Sequence, residues 1–130
     1  SYLGSELVVN GDFATDSDWS KIQATISGGK AFLSTADGSM SSLTQNITTT
    51  EGELYEYFII VDDIVGTITL GRSSTDESLL DIDANGTYAG VFTALSSTQL
   101  TIKRKFGINN VSATLEIVLV KRKITIAAQA

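Results

Sequence analysis

The side chains of this chain that could do acid–base chemistry are mainly carboxylates. Neighbouring acids occur at Asp62 with Asp63, at Asp76 with Glu77, and at Asp81 with Asp83. Two carboxyl groups can hydrolyse a glycosidic bond when they flank it in a cleft and one of them keeps its proton. Adjacent strand residues point to opposite faces of a sheet, and acids in loops are usually solvated. The spacing therefore does not favour a glycosidase.

Two catalytic residue types are missing from the sequence altogether. It contains neither histidine nor cysteine. Ser–His and Cys–His catalysis, disulfide bonds and metal sites built from His or Cys are therefore excluded. The composition favours a non-enzymatic function, and we expect no enzyme activity.

Aromatic and amide side chains offer a second kind of chemistry, the binding of sugars. Rings can stack on a sugar ring while amides or carboxylates bond its hydroxyl groups. The candidate ligand-binding residues are Trp19, Tyr55, Tyr57 and Gln45, with Tyr88 as a further ring. Each ring could instead fill a core. We expect this of Trp19 and Tyr88, whereas Tyr55 and Tyr57 could face either a core or a ligand.

Charge is distributed unevenly along the chain. The net charge is −6, yet residues 101–130 carry +5 because they include the basic triplets at 103–105 and 121–123. An acidic total argues against nucleic acid as a partner. The triplets could pair with the acidic remainder, steer a neighbouring subunit or contact a polyanion. No apolar stretch is long enough to predict a membrane span.

Short β-strands must position these groups. Apolar residues alternate with polar ones from Ile22 to Ile26, and Gly28-Gly29 then predicts a hairpin. Residues 54–61 are nearly all apolar, which predicts a central strand covered on both faces. Asn85-Gly86 predicts a tight hairpin turn. About nine or ten strands without helical periodicity predict an all-β fold, an antiparallel sandwich in one domain.

Several motifs in this order resemble one family. Residues 7–13 are LVVNGDF with Trp19 following, residues 43–47 are LTQNI, residues 52–55 are GELY, residues 86–93 are GTYAGVFT, and residues 100–104 are LTIKR. Over about residues 6–121 they resemble the carbohydrate-binding-module, galactose-binding-like jelly rolls, in particular the version found in bacteriophage structural proteins. The resemblance implies a jelly-roll sandwich.

The resemblance also implies a possible structural calcium ion. In many relatives an acid at the start of the final strand binds calcium together with groups near the amino-terminal strand. Glu116 and Glu6 stand at the matching positions, although the final strand here is EIVLV where the family usually has DNVSV. Glu116 could equally be a solvated strand residue. No other cofactor is expected.

These observations lead to a functional expectation with one alternative. We expect a non-catalytic structural protein of a bacteriophage particle, a capsid decoration or tail-associated protein made in the host cytoplasm and located in the virion. Its partners would be other virion proteins and further copies of itself. The alternative is a lectin-like module that recognises surface polysaccharide.

We expect residues 1–121 to form the domain and residues 122–130 to form a basic and apolar tail, which could add an edge strand or dock on a neighbour. The docking residues would be Lys121, Arg122, Lys123, Ile124 and Ile126. Removal of residues 122–130 should then abolish docking and leave the fold intact.

Overall fold

The computed structural model describes residues 2–73, 78–96 and 98–124. This part of the chain forms eleven β-strands and no helix, and so contains no helix that could cross a bilayer. The strands are β1 (Tyr2–Glu6), β2 (Ser20–Ile22), β3 (Ala24–Ser27), β4 (Lys30–Thr35), β5 (Ser42–Ile47), β6 (Leu54–Val65), β7 (Ile68–Gly71), β8 (Ser78–Ile82), β9 (Gly86–Thr93), β10 (Thr98–Arg104) and β11 (Val111–Ile124).

The strands form two antiparallel sheets. The six-stranded sheet has the order β3-β4-β11-β6-β9, and β1 pairs with the far end of β11. The five-stranded sheet has the order β2-β5-β10-β7-β8. The predicted all-β antiparallel sandwich in a single domain is confirmed.

The core lies between the two sheets, because strands such as β4 and β6 bury alternate side chains there. The largest fully buried side chains include Leu33, Leu43, Ile59, Ile68, Leu70, Leu100, Ile102 and Leu115. Each such side chain contributes roughly 1.5–3 kcal/mol relative to leaving it in water. A core of this kind needs no disulfide, in agreement with the absence of cysteine.

The amino-terminal motif attaches the loop after β1 to the final strand. The Val118 amide donates to the Gly11 carbonyl at 2.8 Å, and a β-carbon at Gly11 would lie 2.2 Å from the Val118 oxygen. Asn10 adopts a positive φ of 56°, and its carbonyl accepts a hydrogen bond from the Trp19 indole. The Trp19 ring packs 5.5 Å from Phe13. The motif therefore has a structural role, since it fixes the amino-terminal loop to the final strand.

The glycine pair forms the predicted hairpin, but the strand before it is shorter than predicted. Gly28 and Gly29 have φ values of 60° and 77°, and Ser27 pairs with Lys30 across the turn. The alternating run that begins before this turn is divided at Gln23, which has a φ of 46°. The chain crosses there from the five-stranded sheet to the six-stranded sheet.

The turn at Asn85-Gly86 does not form the predicted tight hairpin. The strands on either side of it, β8 and β9, belong to different sheets, and β9 pairs with β6. The Asn85 side-chain oxygen accepts a hydrogen bond from the Ile64 amide at 2.9 Å. The dipeptide therefore marks a crossing between sheets.

Strand β11 continues beyond the predicted domain boundary at residue 121. Tyr2 pairs with Ile124 on β11, and Arg122 pairs with Tyr55 on β6. Residues 122–124 are thus part of the sheet, and removing them would remove the end of a central strand. The expectation that their removal leaves the fold intact is not supported by this pairing. Ile126 lies outside the described residues.

The prediction that β6 is covered on both faces is wrong. Tyr55, Tyr57, Ile59 and Val61 point inward and are buried, whereas the alternate residues are only half-buried, Phe58 among them. The strand is apolar on both faces, but only one face packs against the five-stranded sheet. An apolar surface therefore remains on the outside of the six-stranded sheet.

Candidate functional site

The outer face of the six-stranded sheet carries an apolar strip, formed by Phe58, Ile60, Ile117 and Leu119. The register places Leu119 opposite Phe58 and Ile117 opposite Ile60. All four side chains are half-buried. Directly opposed residues of an antiparallel pair share a face, so the four form one continuous surface.

A depression of about 210 Å³ lies at one end of the apolar strip. Phe58 and Leu119 line it together with Glu56 and Lys121, which are opposite each other in the register. Neither charged group has an ion-pair partner within the described part of the chain. The depression therefore combines apolar surface with a free acceptor group and a free donor group.

A second depression, of about 420 Å³, lies on the same face near β3 and β4. Its lining includes Phe32, Thr25 and Ser34, and the Gln23 side chain lies beside them. The Gln23 amide is held in place, since it donates to the Ser34 carbonyl at 2.8 Å and accepts from the Ser39 hydroxyl at 3.1 Å. The outer face thus has an aromatic ring in each of two depressions.

Two carboxylates lie between the depressions because the pairing of β6 with β11 is irregular. The register shifts once around Asp63, which has a φ of 51°, and once at Glu116. Bulges of this kind change the direction in which nearby side chains point. Hydrogen bonding to Asp62 and repulsion by its charge raise the pKa of Glu116, while Lys30, whose Nζ lies 3.8 Å from Glu116 Oε1, opposes that shift. The two carboxyl groups are therefore direct neighbours.

The predicted stacking rings are buried in the sandwich. Trp19, Tyr55 and Tyr57 are 7%, 3% and 8% exposed. The Tyr55 hydroxyl accepts a hydrogen bond from the Thr50 amide, and its ring stacks on Phe92 at 5.9 Å. Burial raises the pKa of Tyr57. These rings present no open face to a sugar in this structure, and their observed role is in packing.

The amide of Gln45 also has a structural role. It accepts a hydrogen bond from the Val9 amide at 2.8 Å and donates to the carbonyls of Val9 and Asp18 at 2.8 and 3.1 Å. Its hydrogen-bonding groups are thus occupied by the amino-terminal loop. Tyr88 is half-buried, and its hydroxyl donates to the Ala84 carbonyl.

Glu6 and Glu116 do not converge on a calcium site. Glu6 pairs with Lys121, which is five residues and so about 15 Å along β11 from Glu116. Glu6 Oε2 accepts from the amides of Val8 and Val120, and Oε1 is buried without a hydrogen-bond partner. Calcium takes six to eight oxygens, and the described residues contain no group of three acids placed to hold a metal ion. The residues present do not fit the ion.

The predicted docking residues that the structure describes, Lys121 to Ile124, divide between two depressions at the end of β11. Lys121 lines the first depression, and Arg122 forms an ion pair with Glu53 at 3.2 Å. Arg122 also lines a depression of about 320 Å³ together with Glu53, Lys123 and Ile124. The other basic triplet, at 103–105, spans the end of β10 in the five-stranded sheet, so the two triplets lie in different sheets.

Sequence reasoning missed Phe58 and Phe32 as surface residues. The available signal was the run at 54–61, which is apolar at both odd and even positions. Such a run predicts apolar surface on both faces of a strand but does not say what covers the second face.

Comparisons with known proteins define the class of fold. No protein-family model matches the chain, and no curated protein matches it. Among solved structures, the second amino-terminal cellulose-binding domain of a Cellulomonas fimi β-1,4-glucanase is 14% identical, with a TM-score of 0.60 over 96% of this chain and 100% of that domain. A carbohydrate-binding module, BiXyn10A CBM1, is 7% identical, with a TM-score of 0.62 over 95% of this chain and 100% of that module.

A third similar structure comes from a virus. The enzymatically active domain of bacteriophage CBA120 tailspike protein 4 is 12% identical, with a TM-score of 0.60 over 91% of this chain but only 21% of that one. At these identities the comparisons show the fold. The chain has the jelly-roll sandwich seen in carbohydrate-binding modules.

Proposed function

We propose that the chain binds a glycan on the outer face of its six-stranded sheet. The observation that carries this proposal is the apolar strip, which the five-stranded sheet does not cover. Contiguous apolar surface on a folded domain commonly marks an interaction site. The fold supports a sugar as the ligand, because it is shared with carbohydrate-binding modules.

The chemistry of the face suits a sugar chain. Phe58 and Phe32 would pack against the apolar C–H surfaces of sugar rings, one in each depression. Around Phe58, the Glu56 carboxylate can accept hydrogen bonds from hydroxyl groups, and the Lys121 ammonium can donate to ring or hydroxyl oxygens. Binding of this kind needs no catalytic group.

Substitution of the two surface rings tests the proposal. The wild-type chain should bind at least one neutral oligosaccharide in a panel that includes cellohexaose and xylohexaose, measured by titration calorimetry. Phe58→Ala and Phe32→Ala should each weaken that binding about tenfold or more, equivalent to about 1.4 kcal/mol. Because both rings are half-buried on the outside of the sheet and not in the core, both variants should remain folded, which thermal unfolding would check.

Phe106→Ala is the matched control. Phe106 is 89% exposed in the loop after β10, so this variant removes an aromatic ring from a different surface. It should retain wild-type affinity. Absence of glycan binding at millimolar concentration, or equal binding by all three variants, would overturn the proposal.

A second candidate function is a structural role in a bacteriophage particle, as a capsid decoration or tail-associated protein. The similarity to part of a phage tailspike protein favours it. The protein would then reside in the virion and contact other virion proteins or copies of itself. Lys121, Arg122, Lys123 and Ile124 at the end of β11 would be docking residues. Glycan binding and a virion location are compatible.

A further inference from the structure

The carboxyl groups of Asp62 and Glu116 lie in the path between the two depressions. Asp62 is on β6, four residues after Phe58. It is opposite Thr114 on β11, and Thr114 is in turn opposite Phe32 on β4. A ligand that contacts both phenylalanines therefore passes over the carboxyl pair.

The charge of this pair is only partly compensated. Lys30 is its one cationic partner among the described residues, at 3.8 Å from Glu116. The side chains of Lys30 and Glu116 are 45% and 40% exposed, so water solvates the ion pair. Two carboxylates beside one ammonium group leave the middle of the face negatively charged.

We infer that Asp62 and Glu116 restrict the outer face to uncharged glycans. This inference depends on the proposed function and specifies its substrate class. Hydroxyl groups of a neutral sugar can donate hydrogen bonds to the carboxylates. A uronate or sulfate group would place a second negative charge beside the Asp62 and Glu116 carboxylates, and the charged group itself would offer them no hydrogen-bond donor.

Matched neutral and acidic ligands test the inference. Cellohexaose is compared with cello-oligosaccharides whose primary hydroxyls are oxidised to carboxylates, and xylohexaose with its glucuronosyl-substituted form. The wild-type chain should bind the neutral member of a pair at least tenfold more tightly. Asp62→Asn combined with Glu116→Gln should bring the two affinities to within about threefold, because it removes the repelling charges.

One control separates charge at the site from total charge, and a second tests whether the preference is electrostatic. Asp16→Asn combined with Glu51→Gln removes the same number of charges from exposed loops, and it should keep the wild-type preference. Raising the salt concentration to about 1 M should also reduce the preference of the wild-type chain, because salt screens exposed charges.

The outcomes distinguish this inference from the proposed function. Equal affinity for both members of a pair, or a preference that persists in the Asp62/Glu116 double variant, overturns the inference and leaves glycan binding in place. Failure of the wild-type chain to bind any neutral glycan overturns the proposed function, and the inference with it.

Discussion

Glu116 shows how a local backbone irregularity determines the chemistry of a side chain. The bulge at this position turns its carboxyl group toward Asp62 on the neighbouring strand. The sequence identified Glu116 as a candidate calcium ligand by its place in the final strand. It could not identify Asp62 as the neighbour, because the two register shifts between β6 and β11 have no distinct sequence signal.

The raised pKa of Glu116 predicts how stability changes with pH. The folded state binds the Glu116 proton more tightly than the unfolded state, where the pKa is about 4.5. The contribution of this group to the free energy of unfolding therefore falls as pH rises from about 4.5 through the raised pKa. Glu116→Gln should remove that loss, which urea unfolding between about pH 4 and pH 7 would measure.

Asp37 provides a comparison, because its pKa is shifted in the opposite direction to that of Glu116. Hydrogen bonds from the Ser39 hydroxyl and amide lower the pKa of Asp37. The contribution of Asp37 to the free energy of unfolding is present above its unfolded-state pKa and is lost as pH falls through its folded-state pKa. Asp37→Asn should therefore reduce the dependence of the free energy of unfolding on pH on the acid side. If the free energy of unfolding changed with pH in the same way for the wild-type chain and for Glu116→Gln, the assignment of Asp62 and Glu116 as neighbouring carboxyl groups would be contradicted.

Strand β6 shows which features of an element are predictable from sequence. The apolar residues at 54–61 indicated the strand, and Gly28-Gly29 indicated the hairpin between β3 and β4, because both depend on local chemistry. The crossings at Gln23 and Asn85-Gly86 depend on which sheet each strand joins. The uncovered face of β6 depends on the same long-range pairing, so Phe58 was expected to be buried.

Close contact between the amino-terminal loop and β11 predicts a large difference between two glycine substitutions. Gly11→Ala places a β-carbon 2.2 Å from the Val118 carbonyl oxygen, whereas the nearest atom in Gly4→Ala is 3.5 Å away. Crowding of a packed interior costs about 1–3 kcal/mol. Gly11→Ala should lower the free energy of unfolding by about that amount in urea, and Gly4→Ala should change it by less than about 1 kcal/mol. Equal effects would show that the loop moves away from β11 without cost.

At the scale of the whole molecule, the outer face determines how copies could associate. An apolar strip favours association, but in a face-to-face dimer both copies would bring the negative charge of Asp62 and Glu116 to the shared interface. The net charge of −6 adds repulsion between copies.

We therefore expect a monomer of 13.8 kDa in solution, as measured by light scattering on a sizing column. The second candidate function predicts another result, because a decoration or tail component works within a closed symmetric assembly. A stable trimer or larger ring would contradict the monomer prediction and favour the virion role.

The pairing of β1 with the end of β11 has a consequence for joining this domain to other proteins. Tyr2 and Ile124 lie opposite each other, so the first and last residues that the structure describes are neighbours in one sheet. We therefore expect the domain to tolerate insertion into a surface loop of a host protein, or circular permutation with a new opening at Gly28-Gly29, with the outer face of the six-stranded sheet unchanged.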